Sequence, residues 1–337
     1  MSRPVTDLLR ADLKGRTAYG APQLDVPFPL NTNENSYAVP QDVVDAIIGS
    51  VAEVASGLNR YPDREFLQLR EDLAAYLTRT SGVVITAGQV WAGNGSNEVL
   101  LHLLQAFGGP DRVALGFTPA YSMHPIIAGT VGTKWVDGHR GVEGAGAFDL
   151  DVTSAVAQVK AHEPHLVFLC SPNNPTGTAL GLDVVEAIYD AAPQAIVVVD
   201  EAYAEFARDG TPSALTLPEG RQRPGVTRTK TNAFALPRGR LGSLAAPPDL
   251  AAPPRPAVVL ARSGGASDRP VSRARHPHRA ADAAAGRAVR VKVPVSQHIR
   301  QPTKERAQER VPIGDRSSLQ DQRRGGRHGK LIGMGRH

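Results

Sequence analysis

The sequence predicts an α/β fold with a mainly parallel sheet over residues 31–246 of its 337. Short runs made wholly of apolar residues indicate strands that are buried on both faces, as in a parallel sheet. Segments whose apolar residues recur with a helical period separate these runs. Strands and helices that alternate in this way are typical of an α/β protein.

Two helices are predicted before the first strand, over residues 40–55 and 65–78. Pro40 suits the first position of a helix, and a turn-rich loop, residues 58–63, joins the two segments. Both carry apolar residues at helical spacing. These are Val43, Val44, Ile47, Ile48 and Val51 in the first helix, and Phe66, Leu69, Leu73 and Leu77 in the second.

Four apolar runs then predict the strands of the sheet. Val90-Trp91-Ala92 indicates the end of a strand, and the apolar helix 99–107 follows it. Three further strands are predicted at 113–117, 166–170 and 195–199, with a helix over 182–191. In an open α/β sheet the ligand site lies at the carboxyl ends of the strands. The segments that follow these runs are therefore the candidates for chemistry.

Residues 93–98, Gly-Asn-Gly-Ser-Asn-Glu, lie between a strand and a helix start. Glycines let backbone N–H groups turn toward an anion, and the helix N-terminus favours negative charge. Ser96 suits both a helix cap and a phosphate ligand. A plain strand-to-helix turn with a serine cap is the alternative interpretation.

Two more segments follow buried strands. Residues 171–177, Ser-Pro-Asn-Asn-Pro-Thr-Gly, form a loop that two X-Pro steps stiffen, from which Asn174 would project its amide. Asp200 ends an apolar run, where an acid is unfavourable without a partner; a cationic ring nitrogen would be one. The alternatives are a loop of turn residues and a helix-capping aspartate.

Together these segments resemble the fold-type I pyridoxal-phosphate aminotransferases, and more closely the histidinol-phosphate aminotransferases. The signature is Asn174-Pro175-Thr176-Gly177 followed by Asp200 and Tyr203. The resemblance covers about residues 5–246. Its other motifs, in the family's order, are residues 30–35 (LNTNEN), 59–62 (NRYP), 93–98, 119–121 (PAY), 200–206 (DEAYAEF) and 227–229 (TRT).

The resemblance implies pyridoxal 5′-phosphate as cofactor and assigns a role to each matching residue. Asp200 would pair with the pyridine N–H, which keeps the ring an electron sink. Asn174 and Tyr203 would bond the ring's 3′-oxygen, and Tyr121 would stack on the ring. Tyr61 would reach the neighbouring subunit of a homodimer, and Tyr19 would cover the substrate. The phosphate would be held by Ser96, Asn97, Thr229, Thr231 and Arg240.

The implied reaction is amino transfer between histidinol phosphate and 2-oxoglutarate, a step of histidine biosynthesis. The sequence departs from the family at one position that this reaction needs. Asn232 stands where the family has the lysine that forms the Schiff base with the cofactor. Lys230, two residues earlier, is a weak substitute, because in an extended segment it lies about 6–7 Å away along the chain.

Beyond residue 246 the family's motifs end, and composition changes. Residues 251–337 carry a net charge of +13, against −8 for residues 1–250, and all 17 aromatic residues precede position 235. Only 14 of these 87 residues are Leu, Ile, Val or Phe, a share typical of disordered chains. We therefore expect an N-terminal arm (1–30), a cofactor-binding large domain (31–246) and a basic tail (247–337) in place of the small domain. Out-of-frame reading of a GC-rich gene is the leading hypothesis for the tail.

Several classes of protein are disfavoured. No apolar run approaches the roughly 18 residues of a membrane span, and the N-terminus carries acids where a signal peptide is apolar, so we expect a cytoplasmic protein. A single cysteine, Cys170, permits no internal disulfide and no zinc site. Nucleic-acid binding is disfavoured because the basic tail lacks aromatic side chains. An inactive remnant that binds the cofactor weakly, a basic-tailed binding protein and an aromatic amino acid aminotransferase remain as alternatives.

Overall fold

The computed structural model describes residues 4–15, 20, 22, 24–27, 31–141, 147–217 and 224–251. The predicted basic tail, apart from residues 247–251, lies outside the described residues, and so does Tyr19. Helices of the described part are α1 Gln41–Ala55, α2 Leu67–Ser81, α3 Ser96–Phe107, α4 Met123–Thr130, α5 Val152–His162, α6 Leu182–Ala191 and α7 Pro248–Ala251. Short 3-10 turns lie at Val5–Leu8, Ala11–Leu13, Ala87–Gln89, Ala204–Phe206, Ala214–Thr216 and Pro237–Gly239.

One seven-stranded sheet forms the centre of the fold, with the strand order β1-β7-β6-β5-β4-β2-β3. Five neighbouring strands, from β6 to β3, run parallel, whereas β7 is antiparallel to both β1 and β6. The strands are β1 Val90–Asn94, β2 Val113–Thr118, β3 Lys134–His139, β4 Leu166–Cys170, β5 Ile196–Asp200, β6 Pro224–Thr229 and β7 Leu241–Ala245. The predicted fold class is confirmed.

Helices cover the sheet on both faces, and each face has its own hydrophobic core. One core joins α2 and α3 to the sheet, and Leu77, Leu100 and Leu103 are fully buried there. The other joins α5 and α6 to the opposite face, with Val159 and Ile188 at its centre. This is why β4 and β5 are apolar at nearly every position: both of their faces are buried.

Helix α1 forms where its sequence predicts it, but its apolar stripe is not buried. The helix has no buried residue, and Ile48 and Val51 are 62% and 57% exposed. A helix with an exposed apolar stripe is stabilised only when another surface covers it.

The sheet's topology gathers chain ends from distant parts of the sequence at one edge. β4, β5 and β6 are parallel neighbours, so their carboxyl ends meet. β1 ends at the same edge and leads into α3. Because β7 is antiparallel to β6, its first residues start there as well. Within the described residues, no helix is long and apolar enough to cross a membrane.

Candidate functional site

A cleft opens at this edge of the sheet. It is lined by nine of the residues singled out in the sequence, and by Cys170 and Ala202, for which no role was predicted. The nine are Ser96, Asn97, Tyr121, Asp200, Tyr203, Thr229, Thr231, Asn232 and Arg240. The sequence therefore predicted most of the lining of one cleft.

Groups of the kind that can bind an anion converge at one end of the cleft, which we call the cradle. Helix α3 begins at Ser96, and the positive end of its dipole faces the cleft. Gly95 has φ +82, and a Cβ there would collide with the guanidinium of Arg240. The absence of a side chain at Gly95 thus lets Arg240 lie against the helix start. The Thr229 and Thr231 hydroxyls, 2.7 Å apart, complete this side.

A second glycine, Gly242, lets strand β7 lie against the same helix start. A Cβ on Gly242, in β7, would collide with the backbone of Gly95 and Ser96. Backbone N–H groups, hydroxyls and a guanidinium that converge in this way are the groups that bind phosphate.

Asp200 lies at the other end of the cleft, at the carboxyl end of β5, and is 1% exposed. One carboxylate oxygen accepts from the Thr227 hydroxyl at 3.1 Å and from the Ala202 N–H at 3.2 Å. The other lies 3.0 Å from Nε2 of His124. Three donors hold the carboxylate in one orientation.

The hydrogen bonds of the His124 ring show whether Asp200 has a cationic partner within the protein. Its ring is 1% exposed and contacts the rings of Trp135, Phe168 and Tyr121. Its Nδ1 is buried without a hydrogen-bond partner, and a protonated Nδ1 would be an unsatisfied buried donor there. A neutral ring that donates through Nε2 fits this environment. The buried charge of Asp200 then calls for a cationic group from the cleft.

Tyr203 is surrounded by side-chain amides. Asn33 donates to its phenol oxygen at 2.6 Å and Asn174 at 3.5 Å, and the Asn232 side chain lies close by. Burial raises the pKa of Tyr203, and the side chains of Asn33 and Asn232 oppose that rise. Since the oxygen accepts these bonds, the phenol proton is available for an acceptor in the cleft.

The segment of residues 31–37 passes beside the site. Asn33 bonds Tyr203, and the Asn35 amide donates to the main-chain oxygen of Asn232 at 3.2 Å. The sequence analysis used this segment for the resemblance but assigned these two asparagines no role, and it assigned none to His124. The family resemblance alone pointed to the segment, and nothing in the sequence pairs His124 with Asp200.

Lys230 does not line the cleft. Its Nζ lies 3.0 Å from the Glu205 carboxylate and 3.5 Å from the centre of the Tyr76 ring. Burial lowers the pKa of Lys230 to about 8, although Glu205 opposes the shift. The amine is thus held by a neighbouring cluster of side chains rather than directed to the place where Asn232 lies.

Asn174 and Tyr61 are the described predicted cofactor-binding residues that do not line the cleft. Asn174 contacts the site through Tyr203, whereas Tyr121, which lines the cleft, donates to the Asn97 side chain at 3.3 Å. Tyr61 is 87% exposed and does not line the cleft of its own chain. Across the residues that the structure describes, no group of three or more His, Cys, Asp or Glu side chains is placed to hold a metal ion.

Fold and site together define an α/β protein whose cleft offers an anion cradle at one end and a buried carboxylate at the other. The family profile described as aminotransferase class I and II matches residues 26–281. The chain therefore belongs to the class I and II aminotransferase family. The match extends past residue 246, where the recognisable motifs end.

Curated relatives include the histidinol-phosphate aminotransferases of Paenarthrobacter aurescens (strain TC1) and Rhodococcus jostii (strain RHA1). The first is 58% identical over 244 residues, which are 72% of this chain and 63% of that protein; the second is 53% identical over 241 residues, 71% and 62%. The chain thus spans less than two thirds of the length of these relatives.

Solved structures with the same fold support the family. A putative histidinol-phosphate aminotransferase from Erwinia carotovora atroseptica is 27% identical with a TM-score of 0.58, covering 72% of this chain and 67% of that one. An aromatic aminotransferase from Pyrococcus horikoshii is 26% identical with a TM-score of 0.57, covering 65% and 58%.

Proposed function

We propose that residues 31–246 are the pyridoxal-phosphate-binding large domain of a histidinol-phosphate aminotransferase, and that Asn232 prevents normal turnover. The observation that carries the proposal is the single cleft that combines the cradle at Arg240 with the buried carboxylate of Asp200. The phosphate and the ring N–H of pyridoxal phosphate match these two ends. The relatives' printed names supply the proposed substrate, histidinol phosphate. The proposed amino acceptor, 2-oxoglutarate, is the one that the family resemblance implies.

The residues present fit this cofactor, and each would act through its own contacts. When bound, pyridoxal phosphate supplies an electron-accepting ring that stabilises negative charge on a substrate carbon. Asp200 would hold the ring nitrogen's proton, because three donors keep its carboxylate in place. Tyr203 would donate its proton to the ring oxygen, and Tyr121 would cover one face of the ring.

The cradle would hold the phosphate. Arg240, Thr229, Thr231 and the backbone N–H groups at the start of α3 are all placed at one end of the cleft. Asn232 cannot form an imine or accept and return a proton as a lysine amine does, and a positioned base alone contributes about 10²–10⁴-fold to rate. This is why we propose binding without normal turnover.

A homodimer is part of the proposal. Tyr61 is 87% exposed, and the apolar stripe of α1 at Ile48 and Val51 is exposed as well. A second copy of the chain would cover such surface. A cytoplasmic location stays a prediction.

Equilibrium dialysis with pyridoxal phosphate tests the proposal. The wild-type chain should bind it, and Arg240→Gln should weaken binding at least about tenfold, because a charge-assisted bond to phosphate is lost. Arg238→Gln is the matched control, since exposed Arg238 lies on the same turn without lining the cleft. Equal affinity in all three proteins would show that the cradle does not hold the phosphate.

An aromatic amino acid aminotransferase is the second candidate, favoured by the structural similarity to the Pyrococcus horikoshii enzyme. The two are separated with the Asn232→Lys variant loaded with cofactor. Histidinol phosphate should change its visible spectrum at lower concentration than phenylalanine does. The reverse order would favour the aromatic substrate.

A further inference from the structure

Three asparagines at alternate positions of one segment, Asn31, Asn33 and Asn35, each donate a hydrogen bond through the side-chain nitrogen. Asn31 and Asn35 donate to main-chain oxygens, at 2.6 and 3.2 Å. Asn33 differs from both, because its acceptor at 2.6 Å is the phenol oxygen of Tyr203, a side chain that lines the cleft. Asn33 is therefore the asparagine of this segment that acts on a side chain of the site.

The hydrogen bonds that described residues make to the phenol of Tyr203 place donors on its oxygen. Asn33 donates at 2.6 Å, whereas Asn174 donates at 3.5 Å, the upper limit for such a bond. Asn33 thus makes the stronger of the two bonds. A phenol both accepts and donates. With N–H donors on its oxygen, the phenol directs its own proton away from the two amides, toward the cleft.

We propose that Asn33 is a positioning residue, which keeps the phenol proton of Tyr203 directed at a ligand in the cleft. The inference rests on the function proposed above, in which the ligand is pyridoxal phosphate and the acceptor is its ring oxygen. Asn33 itself does not line the cleft, so it acts through Tyr203 and not by touching the ligand.

An amide suits this role, because it presents an N–H group where a carboxylate presents only acceptors. With aspartate at position 33, the phenol would donate to the new carboxylate, since a charged acceptor forms a stronger hydrogen bond than a neutral one. The phenol proton would then no longer face the cleft. Burial raises the pKa of Tyr203, so the phenol keeps its proton at neutral pH in either case.

Asn33→Asp reverses the polarity of this one bond, and Asn31→Asp is its matched control. Both residues are exposed, and both variants place one negative charge on the same segment. Dissociation constants for pyridoxal phosphate are measured on the full chain by equilibrium dialysis. We expect Asn33→Asp to weaken binding at least about fivefold, because a hydrogen bond to the ligand is lost. Asn31→Asp should change affinity by less than about twofold, because salt screens an exposed charge.

A double-mutant cycle tests whether the effect passes through the phenol. Tyr203→Phe removes the phenol proton, so adding Asn33→Asp to it should change affinity by less than about twofold.

A change of ligand gives a readout that a merely structural role of Asn33 would not move. The probe is 3-deoxypyridoxal 5′-phosphate, which has the same phosphate and pyridine nitrogen but lacks the ring oxygen. Wild type and Asn33→Asp should bind this probe within about twofold of each other, because it offers the phenol proton no acceptor.

The outcomes separate this inference from the proposed function. Equal affinity of wild type and Asn33→Asp for pyridoxal phosphate overturns the inference and leaves the cofactor site in place. A loss of affinity that Asn31→Asp shares, that persists in the Tyr203→Phe background or that extends to the deoxy probe overturns it as well. If the wild-type chain binds no pyridoxal phosphate, the proposed function fails and the inference fails with it.

Discussion

At the level of single residues, two buried acids one position apart have opposite environments. Asp200 receives hydrogen bonds from neutral donors and faces the cleft. Glu201 forms a buried ion pair with Arg228 at 2.7 Å and also accepts from Ser213 and the Ala214 N–H. Glu201 is satisfied by the protein, whereas Asp200 is available to a ligand.

This contrast gives the first prediction. Asp200→Asn should weaken binding of pyridoxal phosphate at least about tenfold, and should change the free energy of unfolding of the ligand-free protein by less than about 1 kcal/mol. Glu201→Gln should lower that free energy by about 3 kcal/mol, because it leaves Arg228 buried without its partner, and should not change the affinity of the folded fraction. Urea unfolding and dialysis measure the two quantities. Equal losses of stability in Asp200→Asn and Glu201→Gln would contradict the assignment of Asp200 to a ligand and of Glu201 to the internal ion pair.

Lys230 gives a prediction about pH. Its pKa is lowered from 10.5 to about 8 in the folded chain. Below pH 8 the amine is protonated in both states, so the folded state bears the full cost of burying the charge. Above pH 8 the folded state loses this proton first. Lys230 therefore makes stability rise with pH until its unfolded pKa is passed.

Between pH 8 and 10 this rise should be roughly 2 kcal/mol, and Lys230→Met should remove it. Tyr76 and Cys170, whose pKa values are raised, act in the opposite direction, but they are present in both proteins and cancel in the comparison. Urea unfolding at pH 8, 9 and 10 gives the slope of the free energy of unfolding against pH for the wild type and for Lys230→Met. Parallel slopes would show that the amine is not buried in its charged form.

At the level of elements, the cradle depends on the turn between β1 and α3. Gly95→Ala should lower affinity for pyridoxal phosphate at least about tenfold, because the new Cβ would displace the guanidinium of Arg240. It should also lower the free energy of unfolding by about 1–3 kcal/mol, because φ 82 with ψ 167 is a conformation that is essentially restricted to glycine.

Gly82→Ala is the matched control for Gly95→Ala. Gly82 ends α2 with φ +76 and has open space around its Cβ direction. With ψ 0, Gly82 lies in the left-handed helical region, which a side chain tolerates better than the φ 82, ψ 167 conformation of Gly95. Gly82→Ala should therefore reduce stability by about 1 kcal/mol and leave affinity unchanged. Urea unfolding measures the stability of the two variants, and equilibrium dialysis measures their affinity. A similar loss of affinity in both variants would attribute it to strain rather than to Arg240.

Periodicity predicted the elements with a clear apolar pattern and missed the strands without one. β4 and β5 appear within one residue of their predicted bounds because they are almost wholly apolar, and α1 and α6 do so because their apolar residues recur with a helical period. β3 lies at the edge of the sheet with most positions partly exposed. β6 and β7 carry glycine and polar residues, because Gly225 and Gly242 let neighbouring groups approach closely. Local sequence does not contain that information.

The sequence predicted which residues line the cleft better than it predicted the hydrogen bonds between them. Ser96 and Asp200 were named because each follows a predicted strand, whereas Arg240 was named only through the resemblance to the family. The pairing of His124 with Asp200 spans 76 positions in sequence, and that of Asn33 with Tyr203 spans 170. Such contacts depend on the packing of whole elements, which no local pattern specifies.

At the level of the whole molecule, composition predicts that residues 251–337 do not form a folded unit. Ordering a residue costs roughly 1–2 kcal/mol of backbone entropy, and 14 large aliphatic residues in 87 bury too little surface to offset it. Trypsin should therefore cleave this segment at its arginines well before residues 31–246. Mass spectrometry of a digestion time course measures the order. A segment that resists as long as the body would indicate a folded C-terminal domain.

The frame-disruption hypothesis has a separate test in the gene. Translation of the DNA downstream of codon 222 in all three frames should restore a lysine in the register of Asn232 and a small domain after it. An unbroken gene that encodes no such domain in another frame would refute the hypothesis.

The central claim is that the cleft is a pyridoxal-phosphate site in which Asn232 replaces the covalent lysine. Borohydride reduction in the presence of pyridoxal phosphate, followed by peptide mass mapping of wild type and Asn232→Lys, tests it most directly. We predict no cofactor adduct in the wild-type peptide containing Lys230 and Asn232, and an adduct at position 232 in the variant. Adding Arg240→Gln to the variant should reduce the amount of this adduct. An adduct on Lys230 of the wild type, or none at position 232 of the variant, would contradict the claim.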